Sequence, residues 1–262
     1  MEHRLAYLRP EQVLARLRSA AVVYIPVGPL EWHGPHLPLG MDPLNAEQVA
    51  LAACAQTDGL VWPTLFWGTE RERSPEVLKN LGLDPNQHVV GMDFPGNPVP
   101  SAYCREEVLG MLVRETLRHV QLLGARIAVL VNGHGAVNHM AVLQRLAVEY
   151  NHTQPMRVRV CMAMPQKKIT EGSIGHAGGD ETSLMLFYHE AAVSLASLPP
   201  ADKPMRYKDH AIVDGPGFDG RGRSDHVVED DPRKNASAAK GRALFETTVA
   251  EFTAIIKGLL QK

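Results

Sequence analysis

Little in this chain of 262 residues points toward a membrane, a nucleic acid or an oxidising compartment. Charge of neither sign prevails: 27 Lys and Arg against 29 Asp and Glu leave a formal net charge of −2, which gives no electrostatic case for nucleic acid or an anionic membrane as a partner. No run approaches the roughly 18 uninterrupted apolar residues that a membrane span requires. The start, Met1-Glu2-His3-Arg4, has no apolar stretch behind a basic one, so a secretory leader is not expected and a cytoplasmic protein is. Cysteine is scarce. Cys54, Cys104 and Cys161 are widely spaced, odd in number and set in apolar or helical surroundings, and they read as small core residues in a reducing compartment. Internal repeats and low-complexity stretches are missing too. What remains is an ordinary globular composition, 45% hydrophobic and 21% charged, of a size that a single domain over residues 1–262 can hold.

Strand-like runs at 21–27, 60–66, 126–131 and 157–163 alternate with helical patterns near 10–19, 44–55, 105–123, 137–150 and 181–194. That alternation predicts an α/β fold, with βαβ units and a mostly parallel sheet covered on both faces. Asp42-Pro43 reads as a helix cap followed by proline in the first turn, and Asn235-Ala236-Ser237 opens a C-terminal helix. Phe245, Val249, Phe252, Ile255, Ile256 and Leu259 form an apolar stripe along that helix, spaced to face a core.

Three glycine-flanked polar clusters carry the chemistry. The run Ala21–Val27 has the β-branched, uncharged look of a buried parallel strand, and directly behind it come Glu31, His33, His36 and Asp42. They occupy a loop at a strand's carboxyl end, where open α/β sheets place their ligands. Carboxylate and imidazole together suit a divalent cation such as zinc, manganese or iron. A second apolar run ends in Asn132-Gly133-His134-Gly135. The third cluster, Gly175-His176-Ala177-Gly178-Gly179-Asp180-Glu181, precedes an apolar helix start.

Two long irregular segments, 67–104 and 198–235, are rich in Pro, Gly, Asp and Arg, and loops of that length serve as lids or oligomer contacts when they are not disordered. Arg71 and Arg73, in a loop that follows a strand, are candidates for binding an anionic or polyhydroxylated substrate. Trp32 and Trp67 are candidates for an apolar wall of the same crevice, though packing is the commoner use of tryptophan. Asp225, His226, Glu229, Asp230 and Asp231 read as solvated loop charges.

Taken together, P-x-G-x-x-E-x-H-G-x-H-L-P-x-x-x-D at 26–42, N-G-H-G at 132–135 and H-A-G-x-x-E-T-S at 176–183 resemble the creatininase (creatinine amidohydrolase) family. The Phe94-Pro95-Gly96 turn and the ending Asp231-Pro232 with Asn235–Gly241 add to the likeness, which spans nearly the whole chain. The resemblance implies a three-layer α/β/α sandwich, usually assembled as a homohexamer, with two divalent metals per subunit. By motif, Glu31, Asp42 and His134 would hold one metal and His33 with Asp42 the other, so that Asp42 bridges them. A water activated by the metals would attack a carbonyl, and His176 would shuttle a proton or stabilise the oxyanion.

Creatininase itself has a glutamate two residues after the N-G-H histidine, where this chain has Ala136, and another just before the later histidine, where it has Gly175. Glu181 is the candidate for the missing ligand; an acidic residue favoured by the dipole of a helix's first turn is the alternative. His36, aimed elsewhere by its proline turn, is assigned to supporting or substrate contact. These departures argue against creatinine as the substrate. The reading is a metal-dependent hydrolase acting on the amide of a small polar metabolite, cyclic or formyl-type. Hydrolysis of a C–C bond in a cyclic diketone, such as an oxidised cyclitol, is the enzymatic alternative, and a non-catalytic metal-binding assembly protein is the other.

Overall fold

The run behind the first motif has no side chain that needs water, and it forms a strand with every position buried. The computed structural model describes residues 2–171, 175–206 and 223–261. In chain order the elements are α1 (Pro10–Ser19), β1 (Val22–Val27), α2 (Met41–Thr57), β2 (Leu60–Val61), α3 (Pro75–Asn80), α4 (Glu106–Leu122), β3 (Ile127–Asn132), α5 (Val137–Thr153), β4 (Arg157–Met162), α6 (Gln166–Thr170), α7 (Gly179–Tyr188), α8 (Pro232–Asn235) and α9 (Ala238–Leu260). The strands form a parallel sheet in the order β2-β1-β3-β4.

Alternation along β1 splits the core into two layers. Val23, Ile25 and Val27 pack with Val13 and Leu17 of α1, Leu109, Val113 and Leu117 of α4, and Leu143 and Leu146 of α5. Val22 and Tyr24 face the other way, onto Ala46, Val49 and Ala53 of α2 and Phe252 and Ile256 of α9. The α/β/α sandwich expected from the sequence is therefore observed. Cys54, Cys104 and Cys161 are free thiols, Cys54 within the second layer. Among the described residues no helix is long and apolar enough to cross a membrane.

Three boundaries differ from expectation. β2 keeps two residues of the run 60–66, because Pro63 has no N–H to donate; pairing with β1 resumes only as a single bridge at Leu65. The helix expected over 181–194 ends at Tyr188 and gives way to short 3₁₀ turns at Glu190–Ala192 and Leu195–Ser197. Asp42 is not a cap: α2 begins at Met41 with Gly40 at the N-cap position and no side-chain capping bond, which leaves the Asp42 carboxylate in the first turn with other business.

The two irregular segments cover one another. Val77, Leu78, Leu81, Val89, Met92 and Phe94 from the first pack with Leu198, Met205 and Val228 from the second, and Trp32 joins them from the motif loop. Within the first segment Ser74 caps α3, its Oγ accepting the Val77 N–H at 3.3 Å. Part of the cover sought for this region in a neighbouring subunit is thus supplied by the chain itself. Residues 207–222 of the second segment lie outside the described residues.

Candidate metal centre

β1 and β3 end level with each other, Val27 opposite Asn132, so the loops behind them leave the sheet side by side. The first loop is closed by a bond from the Glu31 N–H to the Leu39 carbonyl at 2.8 Å. The second is locked by Asn132, whose Oδ1 accepts the His134 N–H at 3.0 Å while its Nδ2 donates to the His134 carbonyl at 2.6 Å. Between the loops Gly133 is obligatory, since a Cβ there would fall on the carbonyl oxygen of Asp42. Three helix N-termini, those of α2, α5 and α7, follow the three polar clusters, and their positive ends favour anionic side chains nearby.

The result is a buried cluster. His134 Nδ1 lies 2.9 Å from Asp42 Oδ2 and 3.2 Å from Glu31 Oε2. His33 Nε2 lies 3.3 Å from Asp42 Oδ1, 3.7 Å from Glu181 Oε2 and 3.9 Å from Glu31 Oε2. Yet this nitrogen hydrogen-bonds none of the three and is fully buried. It points at a place among the carboxylates rather than at any one of them. The ring's other nitrogen is 3.0 Å from the Glu31 carbonyl, a contact that makes Nδ1–H the donor and turns Nε2 inward as the atom a metal would meet. Three triads bring their ligand atoms within 4.8 Å of one another: Glu31–Asp42–His134, His33–Asp42–Glu181 and Glu31–His33–His176. Nitrogen and carboxylate donors in such sets fit zinc, manganese or iron.

Charge tells the same story. Burial opposes ionisation of Glu31, but His134 above all holds its carboxyl well below the usual range; for Asp42, His33 and His134 likewise outweigh burial. Burial disfavours the cationic form of His33, yet Asp42 and Glu181 raise its pKa to about 10, and His134 is raised well above its ordinary value against the same penalty. Glu181 is pushed up to about 8 by burial, with Asp42 and Glu31 adding to the shift. Three buried carboxylates thus draw positive charge onto the imidazoles that face them, a demand a divalent cation meets directly.

His176 sits beside the cluster, its ring centroid 4.2 Å from that of His33. Nε2 is 2.7 Å from the Trp32 carbonyl, so Nε2–H is spent there and Nδ1 faces Glu31 Oε2 at 4.0 Å. Burial, then the charge of His33, lowers its pKa to about 4. His36 is buried below the site with Nε2 3.0 Å from Thr182 Oγ1. Arg71 and Trp67 are exposed, Trp67 by 47%, and their expected crevice role rests on the position of their loop. Arg73 is committed elsewhere, to Glu70 and the Gly91 carbonyl. Of the charges at 225–231, Asp230 accepts the Gly179 N–H at 2.7 Å, which anchors the start of α7, and Asp231 caps α8.

Two neighbours of the cluster had no place in the sequence reading. Tyr103 donates its phenol proton to Glu31 Oε1. His139 is completely buried and stands edge-on to His134, with centroids 5.1 Å apart; burial, then the charge of His134, lowers its pKa to about 3. His139 shares a helix face with Val142, Leu143 and Leu146, and a histidine in a buried stripe was a signal available in the sequence. Tyr103 lies 72 positions from its partner, and nothing in the spacing announces it.

The family model of creatinine amidohydrolase (Creatininase) matches residues 6–256. A creatinine amidohydrolase of Pseudomonas putida is 30% identical over 203 residues, covering 70% of this chain and 71% of that protein. Among solved structures, a creatininase with Mn superimposes with a TM-score of 0.68 at 24% identity, each chain covered in full. A mutant creatininase of Zn-Zn type gives 0.67 at 24%, again over the whole of both chains.

Proposed function

The chain belongs to the creatininase family of hydrolases, and from that premise we propose that it uses two divalent cations to hydrolyse a small polar amide other than creatinine. The observation that supports this best is the pairing of Glu31–Asp42–His134 with His33–Asp42–Glu181, two triads that have only Asp42 in common. Asp42 turns Oδ2 toward His134 and Oδ1 toward His33, the stance of a bridging carboxylate. Zinc and manganese, present in solved creatininases, suit the donors. Bound there, the cations would lower the pKa of a water and polarise a carbonyl. Glu181 would supply, from the first turn of α7, the carboxylate that Ala136 cannot.

The chain's own residues do the rest. His176 offers Nδ1 to the cluster as a neutral imidazole, since a pKa near 4 leaves it unprotonated at pH 7, and its ring is fixed by the Trp32 carbonyl. It accepts a proton from water and returns it to the departing nitrogen, the two halves of general acid–base catalysis. Burial of the ligands excludes bulk water and strengthens each of these electrostatic contacts. The test is a screen of metal-loaded protein against lactams, formamides, creatinine and cyclic diketones, read by release of amine or ammonia and by carbonyl loss. Turnover of a lactam or formamide with creatinine inert is expected. Cleavage of a diketone without nitrogen release would transfer the site to C–C hydrolysis, and turnover of creatinine would overturn the exclusion drawn from Ala136.

A further inference from the structure

Resting on that reading of the metal centre, we infer that Tyr103 is a positioning residue that fixes which oxygen of Glu31 a cation meets. The phenol oxygen accepts the Met92 N–H at 3.1 Å, so its single proton is left for Glu31 Oε1. With Oε1 engaged, Oε2 is the oxygen turned inward, 3.2 Å from His134 Nδ1, 3.9 Å from His33 Nε2 and 4.0 Å from His176 Nδ1. The two oxygens of one carboxylate therefore have separate tasks, and Tyr103 keeps them apart.

Everything around the ring holds it to this task. Gly91, at φ 56°, leaves the space that the phenol fills: a Cβ there would lie 2.6 Å from the Tyr103 hydroxyl oxygen. The segment carrying the tyrosine is tied directly to the loop carrying Glu31. The Ala102 N–H donates to the Leu30 carbonyl at 2.6 Å, and the Trp32 N–H donates to Ser101 Oγ at 3.1 Å. On the far side the Cys104 N–H reaches the Gly68 carbonyl at 2.8 Å, and the Ser101 N–H reaches Asp93 Oδ1 at 2.7 Å. Bonds on both sides of Glu31 place the phenol with little freedom to follow the carboxylate should it turn. Partners that orient a metal ligand are typically worth 10–100-fold in metal affinity.

The experiment compares wild-type protein with Tyr103→Phe, which keeps the ring and removes the hydroxyl. Binding of Mn2+ and Zn2+ is measured by calorimetry, and the visible absorption of the Co2+-loaded protein reports coordination. The variant should bind about 10–100-fold more weakly and show an altered Co2+ spectrum, because Glu31 Oε1 is then free to turn inward. Unchanged affinity and spectrum, even with a lower thermal midpoint of the metal-free protein, would make Tyr103 merely structural and overturn the inference while leaving the metal centre intact. Failure of the wild type to bind any of these ions would overturn the metal reading itself. Should Tyr103→Phe not fold, Gly91→Ala, which displaces the ring and keeps its hydroxyl, must weaken binding in the same direction or the inference falls.

Discussion

The two halves of the cluster share a carboxylate but are built by different means. Glu31 and His134 lie in the loops behind β1 and β3, adjacent strands whose register is set by a continuous ladder through the buried core, and Asp42 joins them from the first turn of α2, where the β1 loop ends. Glu181 reaches His33 and Asp42 from α7, a helix placed by packing, ion pairs and a few hydrogen bonds rather than by a strand ladder. Gly241 of α9 lets that helix approach so closely that a Cβ would strike the Ser183 carbonyl of α7, and Ser183 Oγ accepts the Ser237 N–H at 3.1 Å. Asp180 is held between Lys168 at 2.7 Å and Lys240 at 2.8 Å. One half is thus a property of the sheet and the other a property of how two helices meet. Sheet-borne ligands share the stability of the global fold, whereas a helix docked by a few contacts can loosen below it.

The largest effect is expected at the residue that straddles both halves. His176→Ala should keep the metal content of the wild type and lower turnover of the substrate found by screening about 10²–10⁴-fold, with KM changed far less. Loss of a cation in that variant would make His176 a ligand and redraw both halves around the Glu31–His33–His176 triad.

Next comes a pair of glycines, one beneath each half. Gly133→Ala must push the β3 loop from Asp42, and Gly241→Ala must push α9 from α7; each overpacking should cost about 1–3 kcal/mol in urea unfolding. They should part company in metal binding. Gly133→Ala disturbs the shared carboxylate and so weakens both cations, while Gly241→Ala weakens chiefly the one at Glu181. Equal loss at both sites from Gly241→Ala would erase the distinction between sheet and helix.

Protons provide the smallest and most discriminating signal. A cation must displace the proton held by His134 in the first half, whereas in the second it displaces those of His33, with a pKa of about 10, and of Glu181, at about 8. All three pKa values are raised, so these protons are present at neutral pH and lost as pH rises. Affinity should therefore climb from pH 6 to 9, more steeply for the second cation. Calorimetry in buffers of different ionisation enthalpy counts the protons released, and Glu181→Gln should release fewer. Affinity independent of pH would contradict the charge assignment.

The sheet half was legible in the sequence because everything it needs is local. An uncharged β-branched run, a proline and glycine loop, and Glu31, His33 and Asp42 within twelve residues announce a strand end with ligands, and His134 repeats the signal behind β3. The helix half was less so. Glu181 stood out as an acid in a first turn, a position that the dipole alone explains, and only the docking of α7 on α9 brings it to His33. Asp42 was taken for a cap because residue type cannot tell an N-cap from the second helical position. Tyr103 was invisible, since its partner is set by the folding of the whole 67–104 segment over the first loop.

The most direct test is the metal count of three proteins purified without chelator, by plasma mass spectrometry and by anomalous diffraction from crystals. The account predicts two divalent cations per chain in the wild type, one in Glu181→Gln, and none in Asp42→Ala, which removes the carboxylate common to both triads. A single cation in the wild type that survives Glu181→Gln undiminished, or full occupancy in Asp42→Ala, would contradict it.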